Sequence, residues 1–377
     1  MPIPMQDALR KSFYPMRNRT RRVGVFVLVV VLAVSVWYCL TSTESLAPRP
    51  VSTHELPFPI VSLTADRYSN SILVKTSYSE HGPVFGRVSQ DIYLVKPLVK
   101  PALLLRFPSK DVSACGFYSM GRATVFGVDI SPETSGVYQM PLDQDVPYQY
   151  VLGPRAGCFP RGAKTSAVLA GIQDPQFDYV FGGWIKVWRH LGRNEPVSPA
   201  EIPVDTAPVQ VDWIDEPEEC LFLTRGGNLH HWKLSATKAT LLKSGDQDDA
   251  DFIFGFDHSL QHRRIVFHTG TACSVLDLDT RKVLYTRPAK AGANILLCRQ
   301  LPLRASDWES TSEQIVRCLT VVGGSQPYCE IWRWDGATAS LLKEISLPDI
   351  SAAELFSDSR HLVVVRGQTL LTYDLDY

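Results

Sequence analysis

The C-terminal stretch 340–377, SLLKEISLPDISAAELFSDSRHLVVVRGQTLLTYDLDY, decides the fold. Ser340 to Ile345 reads as an outer strand and Ala352 to Phe356 as an innermost strand. Ser357-Asp358-Ser359-Arg360 reads as a turn, His361 to Val365 as the next strand, and Thr369 to Tyr373 completes the blade. The signals are apolar residues alternating with polar ones, β-branched enrichment, and turn-forming residues between the runs. The same plan precedes Trp232: Val209 to Ile214, a turn at Asp215-Glu216-Pro217-Glu218, Cys220 to Thr224, and Leu229 to Trp232.

Working outward, each unit ends in a short β-rich run closed by an apolar or aromatic residue and a polar stretch. Val95, Met140, Trp188, Trp232, Leu276, Trp332 and Tyr373 take the equivalent place, at intervals of 45, 48, 44, 44, 56 and 41 residues. Seven copies at this period match the blades of a β-propeller. No segment from 51 to 377 carries a helical period.

Phe356-Ser-Asp-Ser-Arg-His-Leu362, Leu276-Asp277-Leu-Asp-Thr-Arg-Lys-Val-Leu284 and Tyr373-Asp374-Leu-Asp376 resemble WD40 repeats, most clearly from about residue 205 onward. The Gly-His dipeptide of that family is absent and the Trp-Asp pair is degenerate, so quinoprotein-like propeller is an equally fair name. The resemblance implies a fold and leaves function open. In propellers of this kind the last blade commonly takes its outer strand from the N-terminus. Here the chain stops four residues after Tyr373, and Val51 to Phe58 is the donor. Closure of this kind leaves no unpaired sheet edge.

The expected fold class is therefore all-β: a seven-bladed propeller over residues 51–377, preceded by a single N-terminal transmembrane helix. The 18 residues from Val23 to Leu40 carry no charge, follow Arg21-Arg22, and end near the interfacial aromatics Trp37 and Tyr38. As a helix they span about 27 Å, enough for a thin bilayer. Residues 1–22 hold six of the chain's 38 Lys and Arg against one acid, Asp7, a tail of +5. The net charge of −1 then leaves −6 for the remainder. The positive-inside rule puts 1–22 in the cytoplasm, with a linker at 41–50 and the propeller on the far side, in periplasm, secretory lumen or cell surface. A cleaved signal peptide ending near Ser45-Leu46-Ala47 and a mitochondrial presequence are the rival readings. Pro48 and the long basic region oppose the first, and Pro2, Pro4 and Pro15 oppose the second. An acidic body offers nucleic-acid phosphates no general attraction.

The linker enters on the face where an outer strand starts, which places that face toward the bilayer. Gly153 to Ala163, with Lys164 adjacent, is expected as a loop on the opposite face, and its Arg155, Phe159, Arg161 and Lys164 are candidate partner-binding residues. An insertion, Gln300 to Gln314, falls on the membrane-facing side, where Leu301, Leu303, Arg304 and Trp308 suit lipid headgroups or a membrane neighbour.

Seven cysteines follow the membrane segment, mostly inside strands where a thiol packs as a small hydrophobe. Cys298, Cys318 and Cys329 fall in one blade, so one bridge there is compatible with an oxidising compartment. No cysteine has zinc-ligand spacing. His258 and His262 have a ligand spacing that works only on a helix, and alternation sends His230 and His231 to opposite strand faces. The acidic run Asp246, Asp248, Asp249 and Asp251 lacks the Gly and distant Glu of a calcium loop. Nucleophile elbows, phosphate loops, dinucleotide fingerprints and paired-carboxylate motifs are absent. No catalytic, cofactor or metal residue is therefore expected. The leading expectation is a protein-interaction scaffold on a membrane anchor. The alternatives are a propeller enzyme or small-ligand binder, lactonase-like or quinoprotein-like, with its site at the central channel mouth, and a structural subunit of a membrane complex.

Overall fold

Seven four-stranded antiparallel sheets are present, and the stretch 340–373 spans two of them: its first strand closes one sheet and its other three open the next. The computed structural model describes residues 48–376 apart from 80–87, 108–110, 119–121, 130–135, 143–147, 153–155, 165–166, 174–181, 189–199, 246–250, 260–262 and 304–314. Every regular element among them is a strand. The first, β1 (Ser52–Glu55), belongs to the last blade. Blade 1 is β2 (Ile60–Ala65), β3 (Ile72–Ser79), β4 (Val88–Val95) and β5 (Ala102–Phe107). Blade 2 is β6 (Asp111–Tyr118), β7 (Ala123–Asp129), β8 (Gly136–Pro141) and β9 (Tyr148–Leu152). Blade 3 is β10 (Ala156–Cys158), β11 (Val168–Gln173), β12 (Gly183–Trp188) and β13 (Ala200–Val204). Blade 4 is β14 (Pro208–Asp215), β15 (Glu219–Thr224), β16 (Leu229–Lys233) and β17 (Thr240–Lys243). Blade 5 is β18 (Ile253–Ser259), β19 (Arg264–Thr269), β20 (Ala272–Asp277) and β21 (Val283–Pro288). Blade 6 is β22 (Asn294–Leu301), β23 (Val316–Gly323), β24 (Tyr328–Trp334) and β25 (Ala339–Ser346), and β26 (Ala352–Leu355), β27 (His361–Arg366) and β28 (Thr369–Asp374) open blade 7.

The outer strand of blade 7 is β1, paired antiparallel to β28 from Ser52↔Thr372 to Glu55↔Thr369. Leu56, directly after it, is buried in the core between blades 7 and 1. Inner strands of successive blades touch around a central channel, including β22 with β26 and β26 with β2 across the closure.

The propeller has no single hydrophobic core. The buried apolar residues divide into seven clusters, each shared by two adjacent blades packed face to face. All seven equivalent residues, Val95 through Tyr373, sit on third strands and are buried in these clusters. Trp332 is fully buried, and its indole N–H donates to Thr320 Oγ1 at 2.9 Å.

Residues 1–22, the segment 23–40 and 41–47 of the linker lie outside the described residues. Among the described residues no helix is long and apolar enough to cross a membrane.

The stretch expected as one loop, Gly153 to Ala163, contains the innermost strand of blade 3. Ala156 pairs with Ile172 and Cys158 with Gly171, in irregular register. This close approach depends on Gly171, where a Cβ would lie 2.5 Å from Cys158 Sγ and 2.7 Å from Pro208 Cγ. As a result Phe159, Arg161 and Lys164 follow β10 on the face where β1 starts, the reverse of the expected face. Leu301, expected to be available to lipid, is buried between blades 6 and 7.

Candidate functional site

The two mouths of the channel differ in chemistry. At the ends of the inner strands, on the face where β1 starts, charged residues from six blades converge. Asp212 (β14), Asp257 (β18), Arg299 (β22) and Glu354 (β26) pair with Leu221, Val266, Leu319 and Val363 of their second strands. They hold the same position in blades 4 to 7. The turns after β2 and β10 add Arg67 and Arg161.

Arg67 Nη2 donates to Asp212 Oδ2 at 3.0 Å and Asp257 Oδ1 at 3.1 Å, while Nη1 meets His258 Nε2 at 2.9 Å. Arg161 donates to Asp212 Oδ2 through Nε (3.3 Å) and Nη2 (3.2 Å), and to Asp257 Oδ1. Arg299 grips Glu354 with two bonds, 2.8 and 2.6 Å. The Gln300 backbone N–H donates to Asp257 Oδ2 at 2.9 Å. The two arginine turns also meet directly, with Arg67 N–H donating to Arg161 C=O at 2.6 Å. Gly162 makes that meeting sterically feasible: its φ is +128°, and a Cβ there would lie 2.4 Å from Asp66 Oδ1. Arg67 thus reaches from blade 1 across the channel to blades 4 and 5.

Three arginines balance three carboxylates, so this plug is neutral if His258 is neutral. Burial, then the neighbouring Arg67, brings the His258 ring down to about 3, so it is uncharged at pH 7. Burial alone would raise Asp257, but Arg161, Arg67 and Arg299 hold it well below the ordinary carboxylate range. Asp212 is likewise pushed up by burial but brought down overall by Arg67 and Arg161. Charge-assisted bonds of this kind hold groups in place. They leave neither Asp212 nor Asp257 poised to exchange a proton near neutral pH. A cavity of about 120 Å³ remains beside the plug, lined in part by Arg67, Arg161, Asp257, His258, Arg299 and Gln300.

The opposite mouth is apolar. Six inner strands carry a one-residue register shift near their first residue, bulging Val61, Ser113, Gly157, Val209, Phe254 and Leu296. Val61 is 51% exposed, Val209 44% and Phe254 57%. Phe252 lies 4.9 Å from Phe254, ring to ring. Gln210, next to Val209, bridges to Phe256 with bonds of 2.8 and 3.1 Å, fixing blades 4 and 5 together at this level. A groove of about 690 Å³ lies on the same face, lined by Gly292, Gly323, Gly324, Tyr328, Glu344 and Asp349 among others. It adjoins the mouth at Gly323, whose Cβ would fall 3.0 Å from Leu296 Cδ1.

Of the candidate partner-binding residues, Arg155 and Trp308 lie outside the described residues. Phe159 is buried between blades 2 and 3. Lys164 is exposed, with its ammonium 5.5 Å from the Tyr68 ring centroid. Arg161 is central, but as the plug's clamp. Asp212, Asp257, Arg299, Glu354 and Phe254 were missed. Their signal is present: aligning the repeats on Trp232, Leu276, Trp332 and Tyr373 and reading back through two hairpins brings the four charges to one column. Among the described residues no group of His, Cys, Asp or Glu has the arrangement of a metal site. His230 stacks on Phe222 at 4.8 Å, whereas His231 bonds Glu219 at 3.0 Å.

No family model matches the chain, and no curated protein matches it either. Among solved structures, a chain from a crystal structure of a mitotic checkpoint complex is similar with a TM-score of 0.62 and 12% identity, covering 87% of this chain and 95% of that one. The structure of U3-55K is similar with a TM-score of 0.56 and 13% identity, covering 87% and 100%. At such identities the likeness is one of fold, a WD40-like seven-bladed propeller.

Proposed function

We propose that this chain is a single-pass membrane protein whose extracytoplasmic propeller docks a protein partner on its apolar channel mouth. The observation that carries the docking reading is the exposure of Val61, Val209 and Phe254 at matching places on three inner strands, with Phe252 and Leu296 beside them. Bulged positions at a rigid mouth present side chains at little entropic cost on binding. Covering the exposed 57% of Phe254 returns about 1–2 kcal/mol, roughly a fivefold to thirtyfold gain in affinity. Exposed Leu103, Leu241, Val283, Leu284, Leu341 and Leu342 are on outer strands, while Leu98 and Val99 lie in the turn between β4 and β5 and Val51 precedes β1. The checkpoint-complex neighbour, by its title, belongs to an assembly, which agrees with a docking role. Anchoring rests on the uncharged run 23–40 and its basic flank, and orientation on the positive-inside rule.

A second reading places a small polar ligand in the cavity beside the charged plug. It is favoured by two buried atoms there that lack a partner, His258 Nδ1 and Gln300 Oε1. Phe254→Asp separates the two readings. Co-purification of a partner from detergent extract is lost in the variant if the apolar mouth docks it. Undiminished co-purification, with the variant as stable as the parent, contradicts docking there.

A further inference from the structure

The two faces of the propeller differ in charge as well as in polarity. The segments that lead from outer to inner strands, and those that join second to third strands, belong to the face with the apolar mouth. In the sequence these segments hold ten acidic residues against five basic ones, a balance of −5. The connecting segments of the opposite face hold 13 acidic and 14 basic residues, a balance of +1. The acidity of the body is therefore gathered around the apolar mouth. Four of the ten acids, Asp246, Asp248, Asp249 and Asp251, run up to Phe252 and Phe254 in the chain. A surface of one sign around an apolar centre draws in the opposite sign and repels its own.

The groove of about 690 Å³ beside the mouth shows what this face accepts. Its walls come from three segments around blade 6: 290–293 before β22, 323–328 at the β23–β24 hairpin, and 344–349 at the end of β25. The groove already holds one cation of the chain itself. The Lys290 ammonium donates to Glu344 Oε1 at 2.6 Å and stands 4.3 Å from the Tyr328 ring centroid. A carboxylate and an aromatic face together suit an ammonium or guanidinium group. One carboxylate is left over: Asp349 is exposed and has no ion-pair partner among the described residues. Gly292 turns the wall with φ at +75°, and a Cβ there would meet nothing within 4 Å, so a second main chain can approach closely.

Resting on the docking reading, we propose that the protein segment docked at the apolar mouth is basic. An apolar side chain of the partner covers Phe254, and a neighbouring lysine or arginine enters the groove and pairs with Asp349. Groove and mouth are continuous at Gly323 and Leu296, and β22, which carries Leu296, lies against β18, which carries Phe254. One short segment therefore reaches both. An acidic segment of the same apolar content is repelled by the surrounding loops.

The test selects short random peptides from a displayed library, with the full chain in detergent as the target. Peptides that also bind Phe254→Ser are discarded, so those retained depend on the mouth. The expected set combines an aromatic or aliphatic residue with lysine and arginine in excess over the starting library. For a retained peptide, fluorescence anisotropy is expected to show a loss of affinity of about twofold to fivefold in Asp349→Asn, the strength of one exposed ion pair. High salt shrinks that difference. Asp279→Asn removes the same charge from the opposite face and leaves affinity unchanged. Retained peptides without the basic excess overturn the proposal and leave docking standing, as do equal affinities for the parent and Asp349→Asn or equal losses in the two variants. Failure to retain any Phe254-dependent peptide overturns docking at the mouth, and this proposal with it.

Discussion

Arg161→Gln removes the central cation of the channel plug and leaves three carboxylates facing two arginines. The lost contacts are two bonds to Asp212 Oδ2 and one to Asp257 Oδ1. Asp212 is then held by Arg67 Nη2 and the Trp213 N–H, and Asp257 by Arg67 and the His258 and Gln300 N–H groups. The Arg161 side chain is 14% exposed and its partners 2% and 6%, so solvent screens this pair weakly. Removing one partner of a buried pair costs about 3–5 kcal/mol. At about 2 °C per kcal/mol for a domain of this size, the melting temperature falls by roughly 6–10 °C.

The pH dependence separates a charge effect from a packing effect. Asp212 and Asp257 have folded values below their unfolded ones, so their contribution is present above the unfolded value and is lost as pH falls toward the folded one. In the variant that depression is smaller. The gap between parent and variant is therefore widest near neutrality and narrows below about pH 4. Urea unfolding followed by tryptophan fluorescence at pH 7 and pH 3 measures it. A deficit under about 1 kcal/mol at pH 7, the level of a surface pair, or a gap unchanged at pH 3, refutes the buried-clamp account.

Two further outcomes are expected. His258 is lowered to about 3 and His268 to about 4 by burial; both contributions are full above the unfolded value of about 6.5 and decline as pH drops toward the folded ones. Each costs about 2 kcal/mol between pH 6.5 and 5, and His258→Gln, which can still accept from Arg67, removes its share of that slope in urea titrations. Deleting 51–58 removes β1 and Leu56, and leaves β28 as an open edge. The truncated chain elutes as aggregate in size-exclusion chromatography, whereas a compact monomer would contradict closure by β1.

The fold was legible because strand alternation and the spacing of Val95 through Tyr373 depend on local chemistry repeated seven times. Blade 3 was the exception. β10 is only three residues long, sits between Pro154 and Pro160, and owes its place to a glycine on the neighbouring strand. Propensity cannot see such a strand, and reading it as a loop put Arg161 on the wrong face. The plug was hidden for a different reason. Asp212, Asp257, Arg299 and Glu354 are isolated charges within apolar strands, brought together only by circular closure. Phe254 reads as one more strand hydrophobe, and only the register shift at β18 shows it to be exposed.

The most direct test of the docking account is photo-crosslinking of the full chain in intact cells, with a photoreactive phenylalanine analogue at Phe254 or, as a control, at Leu103 on an outer strand. Docking at the apolar mouth predicts a discrete protein adduct from position 254 that is absent from position 103. Equal labelling from both positions, or none from 254, contradicts it.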